Sequence, residues 1–93
     1  MAIAVIIEMQ GTPEDYQRVG QELGEQGEPA AGMLTHIGMQ AETGVRLVEV
    51  WESQEAYDTF VRDRLRPTLQ RLGVPTPPSQ VYPVIYHVSN GSN

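Results

Sequence analysis

Residues 32–60 constrain the fold more than any other part of the sequence. Two runs within them, 33–40 and 45–51, alternate between apolar and other residues, and a period of two residues is typical of a β-strand. The link at residues 41–44 reads Ala-Glu-Thr-Gly, and its final glycine favours a tight turn because glycine tolerates positive φ. The stretch therefore predicts a β-hairpin whose second strand ends at Trp51, the only tryptophan.

A helix is predicted directly after the hairpin. Ser53 is a good N-cap, and Glu55 lies in the first turn, where its negative charge opposes the helix dipole. Apolar residues then recur at helical spacing, namely Ala56, Tyr57, Phe60, Val61 and Leu65. Pro67 breaks or restarts this helix, and a short helical turn follows that ends at Gly73.

The segment before the hairpin predicts a strand and another helix. Residues 2–10 are apolar on both faces of an extended chain. Thr12 is suited to cap the helix, with Pro13 at its first position, and Gly24 is suited to end it. The helix carries a narrow apolar stripe of Tyr16, Val19 and Leu23. Residues 25–31 form a polar loop.

The last third of the chain predicts an extended proline-rich loop at residues 74–78, a final strand at 80–88 and a polar tail at 89–93. The order is thus β-α-β-β-α-β within one domain that spans residues 1–88. Crossovers of this length are right-handed in nearly all proteins. The predicted fold class is α+β, a ferredoxin-like four-stranded antiparallel sheet with both helices on one face.

The predicted strands are apolar on both faces, whereas two helices cover only one. An antiparallel sheet with one wet face should alternate cleanly between apolar and polar residues. In the second hairpin strand, Leu47 and Trp51 point one way, and Val48 and Val50 point the other way. Left open, the second face would expose too large an apolar patch for a stable monomer. We therefore expect a homodimer through the sheet face, with sheet packed on sheet.

Composition excludes several classes of function. The chain has 93 residues, no cysteine, a net charge of −6 and a pI of about 4.7. The lack of cysteine excludes disulfides, thiolate metal sites and cysteine nucleophiles, and it suits the reducing cytoplasm. The negative charge argues against nucleic acid and anionic membranes as partners, and the apolar N-terminus is too short to cross a membrane. The sequence has neither a metal-ligand spacing nor a phosphate-binding loop, so no metal and no cofactor are predicted.

One segment carries a family resemblance: Val50-Trp51-Glu52-Ser53, followed by Glu55-Ala56-Tyr57 and Phe60. Together with the order of elements and the proline-rich approach to the last strand, it resembles the antibiotic-biosynthesis-monooxygenase-like group of dimeric α/β-barrel proteins. The resemblance implies a ferredoxin-like dimer. It also implies one of several activities, because the superfamily includes cofactor-free oxygenases of aromatic polyketides, haem-degrading enzymes, isomerases and dehalogenases.

Of the functional residues in that superfamily, only Trp51 carries over. Haem-degrading relatives are similar in having a strand asparagine, the strand-end tryptophan and a helix histidine. Here the first strand has no asparagine, and residues 53–65 have no histidine. Anthrone-type oxygenases pair the tryptophan with polar groups such as asparagine and arginine, but asparagine occurs here only at positions 90 and 93. The resemblance therefore does not imply haem degradation.

A candidate site follows from the register of the hairpin. If residue 40 pairs with residue 45, then His36 lies opposite Glu49 and Leu34 lies opposite Trp51, with all four side chains on one face and paired Cβ atoms about 5 Å apart. A carboxylate beside a histidine fixes its tautomer and raises its basicity. Such a pair can abstract a proton from a phenol or from a carbon next to a carbonyl. A bulge in the turn would shift the register by one residue and separate the pair.

The sequence thus predicts His36 and Glu49 as catalytic residues and a hydrophobic small molecule as the ligand. The predicted substrate-binding residues are Trp51, Leu34, Tyr57 and Phe60. Structural roles remain open, because aromatic residues pack cores, a histidine can be a satisfied structural residue, and a strand carboxylate can pair with an arginine. His87 either approaches the pocket or lies in solvent, and the arginines at 62, 64 and 66 are either ion-paired or anion-binding.

Three functions fit these residues. The first is a small cofactor-independent monooxygenase, or an isomerase or cyclase, that acts on a hydrophobic aromatic or enolisable molecule. The second is a protein that binds a small ligand without chemistry, and the third is a purely structural dimer with a filled core. We favour the first, because an oxygenase without metal or flavin needs a base that makes the substrate carbanion, and His36 is suited to that role.

Overall fold

The structure has the β-α-β-β-α-β order that the sequence predicts. It is a computed structural model that describes residues 1–24 and 30–88. The elements are β1 (Ile3–Met9), α1 (Pro13–Leu23), β2 (Met33–Ala41), β3 (Gly44–Trp51), α2 (Gln54–Phe60), α3 (Arg66–Leu72) and β4 (Ser79–Pro83). The four strands form one antiparallel sheet in the order β2-β3-β1-β4, which confirms the α+β ferredoxin-like fold. Most of the predicted polar loop at 25–31 and the predicted tail at 89–93 lie outside the described residues.

Helix α1 begins and ends where the sequence signals place it. The Thr12 hydroxyl accepts a hydrogen bond from the Asp15 backbone N–H at 3.2 Å, and the Asp15 carboxylate accepts one from the Thr12 N–H at 2.9 Å. The hydrogen bonds that the Asp15 carboxylate receives from the backbone and the side chain of Thr12 lower the pKa of that carboxyl. At the other end, Gly24 adopts a left-handed conformation with φ of 73° and closes the last turn.

The β2–β3 hairpin keeps the predicted register over most of its length. Gln40 pairs with Val45 and His36 pairs with Glu49, so the turn contains no bulge. The bulge lies at the other end of the hairpin, between Met33 and Thr35, and Met33 pairs with Trp51 there. The predicted pairing of Leu34 with Trp51 is therefore wrong, because the extra residue of the bulge takes Leu34 out of the ladder.

The helical segment after β3 differs in its middle from the prediction. Ser53 caps α2, and its hydroxyl accepts a hydrogen bond from the Ala56 N–H at 3.0 Å. The helix does not stay α-helical to residue 65: a π-turn, Val61–Leu65, follows α2 and leads directly into α3. Pro67 lies in the first turn of α3, directly after the π-turn, so the helical segment restarts at the proline rather than ending there.

Strand β4 is shorter than predicted and ends at Pro83 instead of residue 88. It pairs with β1 so that Pro83 lies opposite Ile3, and one further bond runs from the Val84 N–H to the Ala2 carbonyl at 3.0 Å. The residues after this bond run beyond the start of β1, so they have no strand to pair with. Ile85 and Tyr86 are accordingly exposed.

The sheet has two unlike faces. The face that packs against the helices, which we call the covered face, buries Ile3, Val5, Ile7, Met9, Val45, Leu47, Glu49 and Trp51. The helices complete this core with Val19, Tyr57, Phe60 and Leu69. The other face, which we call the open face, exposes large apolar side chains such as Ile37, Met39 and Tyr82. The open face is therefore apolar, as the alternation of the strands predicts.

Candidate functional site

A cavity of about 420 Å³ lies between α1, α3 and the covered face of the sheet. This volume is within the usual range for small-molecule sites. Its apolar wall is made by Ile7, Met9, Val19, Leu23, Met33, Leu47, Phe60, Leu65, Leu69, Val74 and Pro77. Its polar lining side chains are Tyr16, Gln17, His36 and Glu49. The cavity therefore suits a mostly apolar molecule that carries a few polar groups.

Four side chains form a chain of hydrogen bonds at this cavity. The Trp51 indole N–H donates to Glu49 Oε1 at 2.9 Å. The other carboxylate oxygen, Glu49 Oε2, lies 3.1 Å from His36 Nδ1. On the far side of the imidazole, His36 Nε2 lies 2.5 Å from the Tyr16 hydroxyl. The predicted contact between His36 and Glu49 is thus present in the structure, while the catalytic role of the two residues stays a prediction.

The order of donors and acceptors determines the tautomer of His36. An ionised carboxylate only accepts hydrogen bonds, so Nδ1 carries the hydrogen that faces Glu49. In a neutral imidazole the second nitrogen is then an acceptor, and the Tyr16 O–H donates to Nε2. A carboxylate that orients an imidazole, which in turn contacts a hydroxyl, is the arrangement that makes histidine a directed general base.

Burial differs along this chain of hydrogen bonds. The Glu49 side chain is 5% exposed and the His36 side chain is 27% exposed, and Trp51 is completely buried. A buried carboxylate is costly unless its oxygens are hydrogen-bonded, and here both oxygens have partners. Glu49 and Trp51 thus form the fixed inner end of the chain, while His36 and Tyr16 form the end that solvent or a ligand can reach.

Tyr16 reaches His36 because β2 has a glycine at the position beneath its ring. A Cβ on Gly38 would lie 3.0 Å from three atoms of the Tyr16 ring, which is closer than ordinary van der Waals contact. With no side chain at Gly38, the Tyr16 ring stacks on the imidazole at a centroid distance of 5.9 Å and an angle of 21°. Helix α1 therefore supplies the outer member of the chain, and β2 leaves the space for it.

The sequence did not identify Tyr16 as a site residue, because it belongs to the apolar stripe of α1 and was assigned to the core. One signal for it was present. A glycine inside a strand often marks a close approach of another group, and Gly38 lies two residues from His36 on the same face of β2. What approaches the glycine is set by the docking of α1 on the sheet, which the sequence pattern does not specify.

The aromatic residues predicted to bind the substrate differ in whether they reach the cavity. Phe60 lines the cavity. Trp51 does not line it: its ring packs against Tyr57 at a centroid distance of 5.6 Å and against Phe60 at 5.2 Å. The prediction that Trp51 forms a flat wall for the substrate is therefore wrong in this structure, and the indole reaches the site through its hydrogen bond to Glu49.

Other candidate residues lie away from the cavity. Leu34, in the bulge of β2, is 54% exposed and is absent from the cavity lining. His87 Nε2 lies 3.3 Å from the Thr35 hydroxyl, on the opposite face of β2 from His36. Arg62 pairs with Asp63 at 2.8 Å.

A second cavity of about 410 Å³ lies between α2, the π-turn and the segment that leads into β4. Tyr57 lines this cavity and not the first. Burial raises the pKa of the Tyr57 phenol, and its hydrogen bond to Ser79 opposes this shift. The predicted substrate-binding residues Phe60 and Tyr57 therefore belong to two different cavities.

Within residues 1–24 and 30–88, no three His, Cys, Asp or Glu side chains are grouped so that they could hold a metal ion. The described helices also include none that is both long and apolar enough to cross a membrane.

No protein-family model matches the chain, and no curated protein matches it by sequence. Solved structures do match. The chain is similar to a protein from Caulobacter crescentus assigned as an antibiotic biosynthesis monooxygenase, with 16% identity over 91% of both chains and a TM-score of 0.68. It is also similar to a mutant of SnoaB, a cofactor-independent oxygenase from Streptomyces nogalater, with 11% identity over 94% of both chains and a TM-score of 0.60.

A heme-degrading protein from Mycobacterium tuberculosis matches too, with 16% identity over 96% of this chain and 100% of that one and a TM-score of 0.58. Identities this low show the fold alone. The chain therefore has the antibiotic-biosynthesis-monooxygenase-like fold, and proteins of this fold differ in what they do.

Proposed function

We propose that this protein is a small cofactor-independent oxygenase that acts on a hydrophobic aromatic or enolisable molecule, with His36 as its general base. One observation carries the proposal: a histidine held by a buried carboxylate presents its other nitrogen, through Tyr16, to an apolar cavity. The fold that the chain shares with a cofactor-independent oxygenase supports the same conclusion. An isomerase or cyclase would use the same base on a related substrate.

The proton step uses the existing hydrogen bonds. A hydroxyl group both donates and accepts, so Tyr16 can accept the enol proton of the substrate as it gives its own proton to His36 Nε2. The product is a substrate enolate beside an imidazolium, and the Glu49 carboxylate stabilises that charge. A base that is positioned in this way typically contributes about 10²–10⁴-fold to a rate.

The oxygen step needs no further electron donor. The enolate carbon forms a bond to dioxygen, and protonation of the distal oxygen gives a hydroperoxide. Loss of the remaining C–H proton then breaks the O–O bond, which leaves a ketone and, after proton uptake, water. In sum a CH₂ group and O₂ become C=O and H₂O, so the substrate supplies all the electrons and the protein supplies the base.

Oxygen uptake with anthrone as the probe tests this proposal. Anthrone is a flat tricyclic ketone with an enolisable CH₂ group. We expect wild-type protein to accelerate its oxidation to anthraquinone, and His36→Ala to lower the rate by about 10²-fold or more. His87→Ala is the matched control, because His87 lies outside the cavity, and it should react like wild type. Equal rates for wild type and His36→Ala would exclude the proposed base.

A protein that binds a small ligand without chemistry is the second candidate, and the apolar cavity supports it as well. It predicts that a probe such as N-phenyl-1-naphthylamine binds wild type and His36→Ala alike, while neither protein consumes oxygen. The third candidate, a purely structural dimer, required a filled core, and a cavity of about 420 Å³ argues against it.

We also propose that the protein is a homodimer through the open face. The exposed Ile37, Met39 and Tyr82 support this, because burial against a second sheet would remove their apolar surface from water. Light scattering at micromolar concentration should give about twice the chain mass of 10.3 kDa, and Ile37→Glu should give the monomer. A monomeric wild type would refute the dimer. A cytoplasmic location stays a prediction that depends on the cysteine-free composition.

A further inference from the structure

The two cavities adjoin each other. Ile7, Leu65 and Pro77 line both of them, so the side chains of these three residues form the partition. The first cavity holds the His36 end of the hydrogen-bonded chain, and the second opens towards α2 and the π-turn. One layer of side chains therefore separates the two cavities.

The lining of the second cavity is more polar than that of the first. It contains two guanidinium groups, Arg62 and Arg66, and the hydroxyl groups of Tyr57, Thr76 and Ser79. The first cavity has no arginine in its lining. The second cavity thus offers hydrogen-bond donors and two guanidinium groups, together with the carboxylate of Asp58, at one end of an otherwise apolar space.

Positive charge is concentrated along this part of a negatively charged chain. Four of the six arginines, and only one acidic residue, fall within residues 62–71, although the whole chain carries a net charge of −6. Arg62 is paired with Asp63, and Arg64 donates to the Leu23 carbonyl and lies over the Phe60 ring.

Arg66 differs from these two arginines. The described part of the chain gives it no ion pair, and it lines the second cavity. The one acidic group in that lining, Asp58, accepts a hydrogen bond from the Gln54 amide at 2.9 Å. Arg66 is therefore the cation at this cavity whose charge is available to a ligand.

We propose that the second cavity binds the anionic end of a ligand whose apolar body lies in the first cavity, with Arg66 as the partner of the anion. This inference rests on the proposed function, and it narrows the substrate class to hydrophobic aromatic or enolisable acids. A guanidinium presents paired N–H donors that match the two oxygens of a carboxylate or sulfonate. Binding at that end would also orient the ligand, so that its enolisable group faces Tyr16.

Two fluorescent probes with the same aromatic skeleton test the proposal. They are 8-anilinonaphthalene-1-sulfonate, which is anionic, and N-phenyl-1-naphthylamine, which lacks the sulfonate. Arg66→Gln should raise the Kd of the sulfonate about fivefold, the range of a partly exposed charge pair, and leave the Kd of the neutral probe unchanged. Arg71→Gln is the matched control, because Arg71 is on the same helix but lines neither cavity. It should change neither Kd.

A variant that fills the first cavity tests whether the two probes bind there. Gly20 lines the first cavity, and a Cβ there would contact nothing within 4 Å, so Gly20→Leu should place its side chain in the cavity and abolish the binding of both probes. Retained binding in Gly20→Leu would show that the dyes bind elsewhere and would overturn the proposal.

An equal loss of both probes in Arg66→Gln, or no loss of either, would also overturn it. The test of the base remains separate, because anthrone carries no anionic group. Its turnover depends on His36 and does not depend on Arg66.

Discussion

The two faces of the sheet each carry an acid–base pair across neighbouring strands, and the pairs differ in their surroundings. On the covered face, His36 Nδ1 lies 3.1 Å from Glu49, whose side chain is 5% exposed. On the open face, Arg46 Nε lies only 2.6 Å from Glu8, and both side chains are about half exposed. In the single chain, the shorter pair is the one that water reaches.

This difference shows that burial, and not distance, decides what such a pair contributes. Water screens the exposed pair, and exposed ion pairs typically contribute about 0–1 kcal/mol. The buried carboxylate has lost its water, so it depends on the partners that the fold supplies. In the single chain the open-face pair is therefore replaceable, whereas the covered-face pair is needed for stability and, in the proposed function, also orients the base.

Removal of each carboxylate should give the largest contrast. Glu49→Ala leaves the Trp51 N–H and the His36 Nδ1–H without their acceptor, and we expect a loss of about 3 kcal/mol in the free energy of unfolding together with loss of oxygen uptake. When both variants are made in the monomeric Ile37→Glu background, where water reaches the Arg46–Glu8 pair, Glu8→Ala should cost about 0.5 kcal/mol or less. Urea denaturation of both variants measures the difference.

Glu49→Gln separates the loss of stability from the loss of activity that we expect for Glu49→Ala. Its amide oxygen still accepts from Trp51, while its NH₂ group donates to His36 Nδ1 and moves the imidazole proton to Nε2. Most of the stability should return and the activity should not. Similar losses in the free energy of unfolding for Glu49→Ala and Glu8→Ala would contradict the conclusion that burial decides what such a pair contributes.

Tyr16→Phe should have the next largest effect. It keeps the ring that stacks on His36 and removes only the hydroxyl that relays the proton, so kcat should fall by about 10- to 100-fold. KM and the urea midpoint should change little. Tyr82→Phe, on the open face, is the matched control. An unchanged or higher kcat in Tyr16→Phe would mean that the hydroxyl only occupies the place of the substrate.

Gly38→Ala should have a smaller effect through the same contact. The added Cβ would lie 3.0 Å from the Tyr16 ring, and the half-buried ring can move away, which lengthens its hydrogen bond to His36. We expect kcat to fall by about threefold to tenfold, because misplacement of a catalytic group lowers the rate. A kcat equal to that of wild type in Gly38→Ala would contradict this account.

The smallest expected effect is a pH dependence. Burial raises the pKa of Tyr57 above its ordinary value of 10.0, so its neutral form is favoured in the folded protein. The resulting stability is fully present below the unfolded pKa and is lost as pH rises through the folded pKa. Urea midpoints should fall above about pH 10, and Tyr57→Phe should reduce the slope. An identical slope in the variant would exclude Tyr57 as the titrating group.

The sequence predicts the hairpin and the His36–Glu49 pair because both depend on the short link between the two strands. With no bulge in the turn, residue 40 pairs with residue 45, and that register brings His36 opposite Glu49, but the alternation itself did not exclude a register shifted by a bulge. The same reasoning failed for Leu34, since a bulge adds a residue without any sign in the alternation of β2.

Local sequence patterns do not predict that Tyr16 contacts His36 or that Trp51 is packed away from the cavity. Whether the α1 stripe fills the core or reaches His36 depends on how the helix docks on the sheet. Trp51 lies on the predicted face, but Tyr57 and Phe60 pack against its ring and separate it from the cavity. Cavities are left where packing is incomplete, so alternation and spacing do not locate them.

Because of the π-turn Val61–Leu65, the number of residues between α2 and α3 determines which side of α3 faces the cavity. Each residue of an α-helix turns the side-chain direction by about 100°, and a π-turn accommodates one additional residue. Wound as a regular α-helix, the same residues would rotate α3 by about that angle, which would turn Leu69 out of the wall that it shares with Phe60. Relatives that keep this cavity should therefore have either this spacing between Phe60 and Leu69 with a π-turn, or one residue fewer without it.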